Sequence, residues 1–150
     1  LHTNDAPSSI TRLQNMGTPD YLISAACSLV LAQRLARKNC PDCREPDPDV
    51  TPKVLSEFGF TPELASRTNA VKGKGCPKCK DTGYKGRMGI YEVLNVTKAI
   101  KEAILAKATT PELKEIAKKE GFRTMHDMGR ELIVSGDLNF REFDRVLTME

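Results

Sequence analysis

The spacing of apolar residues predicts a chain that begins with two helices. Ile10, Leu13 and Met16 recur at three-residue intervals within residues 4–17, a stretch that opens on an Asn-Asp-Ala-Pro cap signal and stops at a glycine. Residues 19–38 follow, and they are apolar on most of the circumference of a helix, which is typical of a helix buried on several sides. We therefore expect one amphipathic helix and one long buried helix in this region.

Helical patterns also fill the last third of the chain. Thr97, Thr110, Thr124 and Asn139 each precede an apolar periodicity, and their side-chain oxygens can accept a hydrogen bond from the first turn of a helix. An acidic residue stands three positions after each of the last two, which resembles a capping box. Gly121 is typical of the left-handed residue that ends a helix. These signals predict four C-terminal helices.

A strand is expected before those helices. Met88 and Ile90 alternate with polar neighbours over residues 87–94, a spacing that favours a strand. Two short helices are expected at residues 53–58 and 63–66, each next to a Thr-Pro pair. The predicted fold class is therefore α+β and mainly α-helical.

Composition divides the chain into three regions: residues 1–38, 39–80 and 81–150. The middle region is rich in proline and acidic residues and has little apolar content. The 150 residues include 29% charged residues and have a net charge of +3, a near balance that argues against a nucleic-acid-binding arm. No apolar run is long enough to predict a membrane-spanning helix, and no secretion signal is visible. Because the sequence opens without methionine, we expect it to be part of a longer chain.

Two cysteine pairs frame the middle region. Cys40-Pro-Asp-Cys43 and Cys76-Pro-Lys-Cys79 are separated by 32 residues. Each tight turn can present two sulfurs on one side, and two such turns supply the four thiolates of a tetrahedral zinc site with no open position, so the spacing predicts structural Zn²⁺. Redox dithiols or disulfides are the alternatives. The fifth cysteine, Cys27, is expected to be a small buried apolar residue within the long N-terminal helix.

Several motifs of catalysis are absent from the sequence. It contains no G-x-x-x-x-G-K-[ST] phosphate loop, no H-E-x-x-H, no G-x-S-x-G and no dinucleotide-binding fingerprint. We therefore expect that this chain alone holds no complete catalytic site.

Four stretches together resemble one family. Residues 1–13, beginning Leu-His-Thr-Asn-Asp-Ala-Pro, resemble the histidine box of secretion and pilus-assembly ATPases. The Leu-Ala-Gln-Arg-Leu run at residues 31–35, the block at 75–92 and the Gly-Phe-Arg-Thr-Met stretch at 121–125 are similar to later parts of the same proteins. The resemblance covers essentially the whole chain and is to the C-terminal portion of type II secretion ATPases and type IV pilus extension ATPases. Retraction ATPases of the superfamily lack the four-cysteine insert, which argues against that branch.

The resemblance implies an architecture and an activity. Residues 1–38 would be the C-terminal part of a RecA-like ATPase core, residues 39–80 a tetracysteine zinc-binding subdomain, and residues 81–150 a strand followed by a C-terminal helical bundle. Such proteins are cytoplasmic homo-hexamers, peripheral to the bacterial inner membrane. With ATP and Mg²⁺ they drive pilin or pseudopilin assembly through inner-membrane platform and adaptor proteins.

The same resemblance implies a role for one residue. His2 matches the histidine of the box, a proposed sensor of the γ-phosphate or of the attacking water. The phosphate loop of such proteins precedes the histidine box, so the resemblance also implies that this chain does not hydrolyse ATP by itself.

Two other functions compete with this interpretation. A zinc-ribbon protein that binds nucleic acid would use a run of cations, and only one aspartate offsets that run. The run comprises Lys72, Lys74, Lys78, Lys80, Lys85 and Arg87. Only Tyr84 is aromatic there, which disfavours nucleic acid, and the same patch could face acidic lipid headgroups instead. A chaperone-type zinc module is the third hypothesis, although its glycine spacing and number of cysteine pairs do not match.

Overall fold

Helices make up most of the regular structure in the computed structural model, which describes residues 3–148. The described residues form eight α-helices and four strands, so the predicted α+β, mainly helical class is confirmed. The elements are α1 (Ala6–Asn15), α2 (Asp20–Ala26), β1 (Leu29–Asn39), β2 (Arg44–Pro46), α3 (Pro52–Glu57), α4 (Pro62–Ser66), β3 (Val71–Gly73), β4 (Tyr84–Asn95), α5 (Lys98–Leu105), α6 (Thr110–Lys119), α7 (Met125–Ser135) and α8 (Phe140–Leu147). Within residues 3–148, no helix has the length and apolar character needed to cross a membrane.

The chain divides into two compact units, and each unit combines two separate stretches of sequence. Among the described residues, the first unit contains 3–33 and 91–125, and the second contains 34–90 and 126–148. The division of this chain into domains at residues 1–38, 39–80 and 81–150 stays a prediction.

Helices α1, α2, α5 and α6 build the first unit. Helix α2 packs on α5, and α6 packs on both α1 and α5. Fully buried branched side chains fill the space between them, and burying such side chains is the main stabilising contribution. They include Ile10, Ile23, Ile100, Ile104 and Leu113.

Most predicted helix caps are present. The side chains of Thr51, Thr61 and Thr97 each accept a hydrogen bond from the backbone N–H three residues later, as expected. At α6 the prediction is displaced by one residue, because Thr109 rather than Thr110 caps the helix. Each such oxygen satisfies a backbone N–H that the helix itself leaves without a partner.

The prediction of one long helix over residues 19–38 is wrong for most of that stretch. Helix α2 ends at Ala26, and β1 follows as a strand with burial that alternates from residue to residue. Ala32 and Ala36 are buried, whereas leucines at odd-numbered positions of the strand are about half exposed. The run is thus apolar on both faces of a strand, and periodicity alone cannot distinguish such a run from a buried helix.

The predicted strand at residues 87–94 is confirmed as part of β4, which pairs with β1 in a two-stranded sheet. The N–H of Val96 donates to the carbonyl of Ser28 (3.0 Å), and the N–H of Cys40 donates to the carbonyl of Gly83 (2.9 Å). The start of β1 therefore lies beside the end of β4, so the strands are antiparallel. This pairing takes up backbone groups that a continued helix would have used internally.

An aromatic cluster forms the core of the second unit. Phe58 contacts Phe140 edge to face with ring centroids 5.2 Å apart, and Phe60 stacks on Phe140 at 5.8 Å. Phe143 completes the group, 5.9 Å from Phe58. Phe58 and Phe60 lie just after α3, whereas Phe140 and Phe143 belong to α8. The ring contacts therefore hold these two helices together, at the offset and edge-to-face geometries that aromatic pairs prefer.

A buried carboxylate ties α8 to β1 in the same unit. The side chain of Glu142 is fully buried and accepts hydrogen bonds from the Nη2 atom (2.8 Å), the Nε atom and the backbone N–H of Arg37. Arg145 donates to both carboxylate oxygens from the next turn of α8. Asn139 caps α8 as predicted, but Glu142 does not complete the capping box because its oxygens are occupied by the arginines. Burial raises the pKa of Glu142, but the arginine hydrogen bonds lower it more, to about 2.

We predict that Glu142→Gln destabilises the second unit by about 1.5–3 kcal/mol at neutral pH, because charge-assisted hydrogen bonds are lost. Since the folded-state pKa lies below the ordinary value for glutamate, the contribution is present above that value and is lost as pH falls towards about 2. Urea unfolding between neutral and acidic pH measures both effects. Glu57→Gln, at an exposed site on α3, is the control, and equal midpoints for the two variants would contradict the prediction.

Candidate metal centre

The strand pair β2–β3 brings the two Cys-Pro-x-Cys turns together. Cys43 immediately precedes β2, and the second turn begins three residues after Gly73. In the antiparallel register Arg44 lies opposite Gly73, so the ends of β2 and β3 that adjoin the cysteine turns lie side by side. The N–H of Lys74 extends this ladder by donating to the carbonyl of Cys43 at 2.9 Å. Backbone pairing therefore positions the turns before any metal is considered.

Two glycines allow the backbone to close around this site. A Cβ atom on Gly73 would lie 1.9 Å from the carbonyl oxygen of Gly83, and a Cβ on Gly83 would lie 2.5 Å from that of Gly73. Gly83 also has φ +80, which side chains disfavour. Its carbonyl accepts from Cys40, so the close approach places the first cysteine of one turn beside the end of the other.

The four sulfurs occupy a volume suited to one ion. Every sulfur of Cys40, Cys43, Cys76 and Cys79 lies within 4.8 Å of the others. The Cys40–Cys76 sulfur distance is 3.8 Å, that of Cys43–Cys79 is 3.9 Å and that of Cys76–Cys79 is 3.6 Å. A tetrahedron with Zn–S bonds of about 2.3 Å has S···S edges of about 3.8 Å. The cluster could therefore hold a metal ion, and all four cysteines are free thiols.

Backbone N–H groups donate to two of the four sulfurs, and a hydrogen bond of this kind favours the ionised thiolate. Gly75 donates to the sulfur of Cys43 (3.3 Å), while Cys76 (3.2 Å) and Gly83 (3.3 Å) donate to that of Cys79. Burial raises the pKa of Cys79, but these donors and the neighbouring thiols lower it more, to about 6. Burial and the other thiols raise the pKa of Cys43 to about 12. A site with one readily formed thiolate and convergent N–H donors has the chemistry of a thiolate metal centre.

The other candidate residues have different outcomes. Cys27 follows α2 rather than lying within a helix, and it is only half-buried, so its expected burial in a long helix is wrong. It lies outside the sulfur cluster. His2 lies outside the described residues.

Five of the six cations in the predicted basic patch have no ion pair among residues 3–148. Lys78 is the exception, since its ammonium lies 3.2 Å from a carboxylate oxygen of Asp42. The only aromatic side chain in this stretch, Tyr84, is already engaged. The guanidinium of Arg37 lies over its ring, 4.1 Å from the centroid, and Asn139 donates to its hydroxyl.

A buried glutamate in the first unit was not anticipated from the sequence. Glu92 is 2% exposed, and its Oε1 accepts from the N–H of Ala6 (2.7 Å) while its Oε2 accepts from the N–H of Met125 (2.9 Å). Burial raises the pKa of Glu92 above its usual value. The one sequence signal is its place between Ile90 and Leu94, on the inward-facing side of β4. A charged residue at such a position calls for dedicated partners.

Comparison with known proteins identifies the relatives of this chain. Residues 1–145 match the family described as type II/IV secretion system protein. The type IV pilus assembly ATPase PilB of Myxococcus xanthus is 37% identical over 142 residues, which cover 95% of this chain and 25% of the relative. The protein of the same name from Thermus thermophilus is 44% identical over 130 residues, covering 86% of this chain and 14% of the relative.

A secretion protein gives a similar match. The putative type II secretion system protein E of Escherichia coli is 35% identical over 146 residues, which cover 97% of this chain and 29% of the relative. The chain thus spans about a quarter of the length of most of these relatives. Because the match to the family extends over nearly every residue, the chain belongs to the type II/IV secretion system protein family.

Proposed function

We propose that this chain is the C-terminal part of an ATPase that drives assembly of type IV pili or of the type II secretion pseudopilus. The observation that carries the proposal is the family match over residues 1–145, with relatives named as pilus assembly ATPases and a secretion protein. The Gly-rich phosphate-binding segment of such an ATPase would lie upstream of Leu1. The chain supplies the histidine box at its start and a tetracysteine cluster in its second unit.

The finer features of this role follow from the family resemblance. The intact protein would be a cytoplasmic homo-hexamer at the inner membrane, in contact with platform and adaptor proteins. Its RecA-like core would bind ATP and Mg²⁺, and His2 would act near the γ-phosphate. An imidazole there can donate a hydrogen bond to a phosphoryl oxygen or orient the attacking water.

Structural zinc on the four cysteines is the second element of the proposal. Three S···S distances, of 3.8, 3.9 and 3.6 Å, match the edges of a tetrahedral zinc–thiolate centre, and four sulfur ligands leave no coordination position open for a substrate. When bound, zinc would supply cross-links between the two turns and no chemistry on ATP. The stretch between the turns buries few apolar side chains, Leu55 and Phe60 among them, so those cross-links would replace much of a missing core.

The zinc assignment predicts one Zn²⁺ per chain after purification without added metal. Cys40→Ser and Cys76→Ser should each reduce the zinc content to well below one, since three thiolates and a hydroxyl bind zinc far more weakly. Elemental analysis against protein concentration measures the ratio. Cys27→Ser is the matched control and should keep full zinc content.

Two results would contradict this assignment. One is wild-type protein that holds no tightly bound zinc, and the other is a mass measurement that finds a disulfide within either cysteine pair. A disulfide would favour the redox alternative instead.

The ATPase proposal is tested on the full-length protein encoded by the gene. We expect Mg²⁺-dependent ATP hydrolysis by that protein and none by residues 1–150 alone, because the chain holds no phosphate loop. Phosphate release measures both. An open reading frame with no phosphate loop before the histidine box would contradict the proposal, as would ATP turnover by residues 1–150 alone.

The basic patch provides a second candidate function, contact with acidic lipid headgroups. Five cations that have no carboxylate partner within the described part of the chain favour an anionic surface, whether of lipid or of nucleic acid. Stacking on nucleic-acid bases needs free aromatic faces, and the ring of Tyr84 is covered by Arg37. A lipid surface requires only charge, so it is the better fit.

We predict that the full-length protein sediments with phosphatidylglycerol-containing vesicles and not with pure phosphatidylcholine. The triple variant Lys80→Gln, Lys85→Gln, Arg87→Gln should bind about 100-fold more weakly, since each cation contributes about 1 kcal/mol near an anionic surface.

A charge-matched control separates the patch from net charge. The variant Lys98→Gln, Lys118→Gln, Lys119→Gln removes three exposed cations of the first unit and should bind like wild type. Equal losses in both triple variants would overturn the lipid proposal, and so would preferential binding to an oligonucleotide.

A further inference from the structure

We term residues 3–6 the box segment. They directly follow His2 in the sequence and lie within residues 1–13, the stretch that resembles the histidine box. Two polar contacts join the box segment to residues of α1. The hydroxyl of Thr3 is 2.7 Å from that of Ser9, and the carboxylate of Asp5 accepts from the N–H of Ser8 at 2.8 Å. The box segment is therefore fixed to the first turn of α1.

Glu92 holds the same segment from the sheet. Its carboxylate accepts the N–H of Ala6, the first residue of α1, at 2.7 Å in a fully buried setting. The other oxygen accepts the N–H of Met125, the first residue of α7. A carboxylate at a helix N-terminus satisfies N–H groups that have no partner in the helix and interacts favourably with the helix dipole. One glutamate serves two helix starts in this way.

Lys114 of α6 holds the segment from a third direction. Its ammonium lies 2.9 Å from Oδ2 of Asp5, and both side chains are partly shielded from solvent. Burial raises the pKa of Asp5, but the hydrogen bonds from Lys114 and Ser8 together have the larger effect and lower the pKa below its usual value. Asp5 is therefore ionised at neutral pH and can keep this ion pair.

We propose that Glu92 and Lys114 are positioning residues for ATP hydrolysis, which act by fixing the box segment, the stretch that follows His2 in the sequence. This inference rests on the proposed ATPase function. Neither residue needs to touch the nucleotide. Each holds a backbone or side-chain group of the segment that follows His2 in the sequence, and small displacements around a catalytic group cost large factors in rate.

The two hydrogen bonds of Glu92 favour glutamate over glutamine at this position. A carboxylate offers acceptors on both oxygens, whereas the amide of glutamine offers one acceptor and a donor that would face an N–H group. Glu92→Gln therefore leaves one helix start without its partner. Aliphatic residues at Ile90 and Leu94 occupy the flanking inward positions, so the polar side chain contributes specific contacts rather than bulk.

The test measures ATP hydrolysis by the full-length protein. Glu92→Gln and Lys114→Met should each lower kcat at least about tenfold while KM for ATP changes less than about twofold. Lys114→Arg should restore most of kcat because it keeps an ion pair with Asp5. Rates are expressed per folded molecule, with nucleotide-binding sites counted by titration.

Control variants separate positioning from loss of stability. Glu142→Gln removes another buried carboxylate, which does not contact the box segment, and should lower the melting temperature while keeping kcat. Lys118→Met is the control for Lys114→Met, since Lys118 is exposed on the same helix. A role in stability alone would make Glu92→Gln behave like Glu142→Gln.

The outcomes distinguish this inference from the function on which it rests. No hydrolysis by the wild-type full-length protein would overturn the proposed function and this inference with it. Hydrolysis by wild type that Glu92→Gln and Lys114→Met both retain would overturn the inference alone. If Glu92→Gln fails to fold, the rates of Lys114→Met and Lys114→Arg test the inference instead. Both should fold, because Lys114 is partly exposed.

Discussion

The convergence of four sulfurs on one point is the constraint that joins the two ends of the stretch between the cysteine turns of the second unit. Each cysteine turn is short, and the stretch between the turns adds only a three-residue strand pair and two helices of five or six residues. Helices and strands of this length are marginal by themselves. A thiolate-bound zinc in small peptides is associated with about 10–16 kcal/mol of apparent binding free energy, which is on the scale of a whole domain's stability.

Two buried glutamates connect segments that are distant in sequence, and they are stabilised differently. Glu142 is held by two arginines whose own side chains are about half exposed, so the ion pairs retain some solvation. Glu92 is held by the N–H groups of two helix starts, and burial raises its pKa. Buried charges are tolerated only when every acceptor is used, and no buried side-chain polar atom of residues 3–148 lacks a hydrogen bond. Each glutamate thus fixes one arrangement of segments that are distant in sequence.

The parts that sequence analysis predicted correctly carry their signal locally. Helix caps, the alternation in β4 and the Cys-Pro-x-Cys spacing are each set by residues a few positions apart. The strand β1 was missed because its outward leucines and inward alanines make both faces apolar. Large apolar residues there, such as Leu29 and Leu31, remain about half exposed.

Partners that are distant along the chain left no local signal. The contacts of Glu92 and Glu142 and the close approach of Gly73 to Gly83 depend on tertiary structure. Glycine and glutamate at those positions are compatible with many folds, so only the assembled structure shows why they are needed there.

Hydrogen–deuterium exchange before and after zinc chelation tests most directly whether the sulfur cluster holds the second unit together. The amides of Cys40, Lys74 and Asp81 are hydrogen-bonded within or beside the cysteine turns. The account predicts that their exchange becomes much faster when zinc is removed, while Leu113 in the first unit keeps its protection. Unchanged exchange at the three cysteine-turn amides, or an equal increase at Leu113, would contradict it.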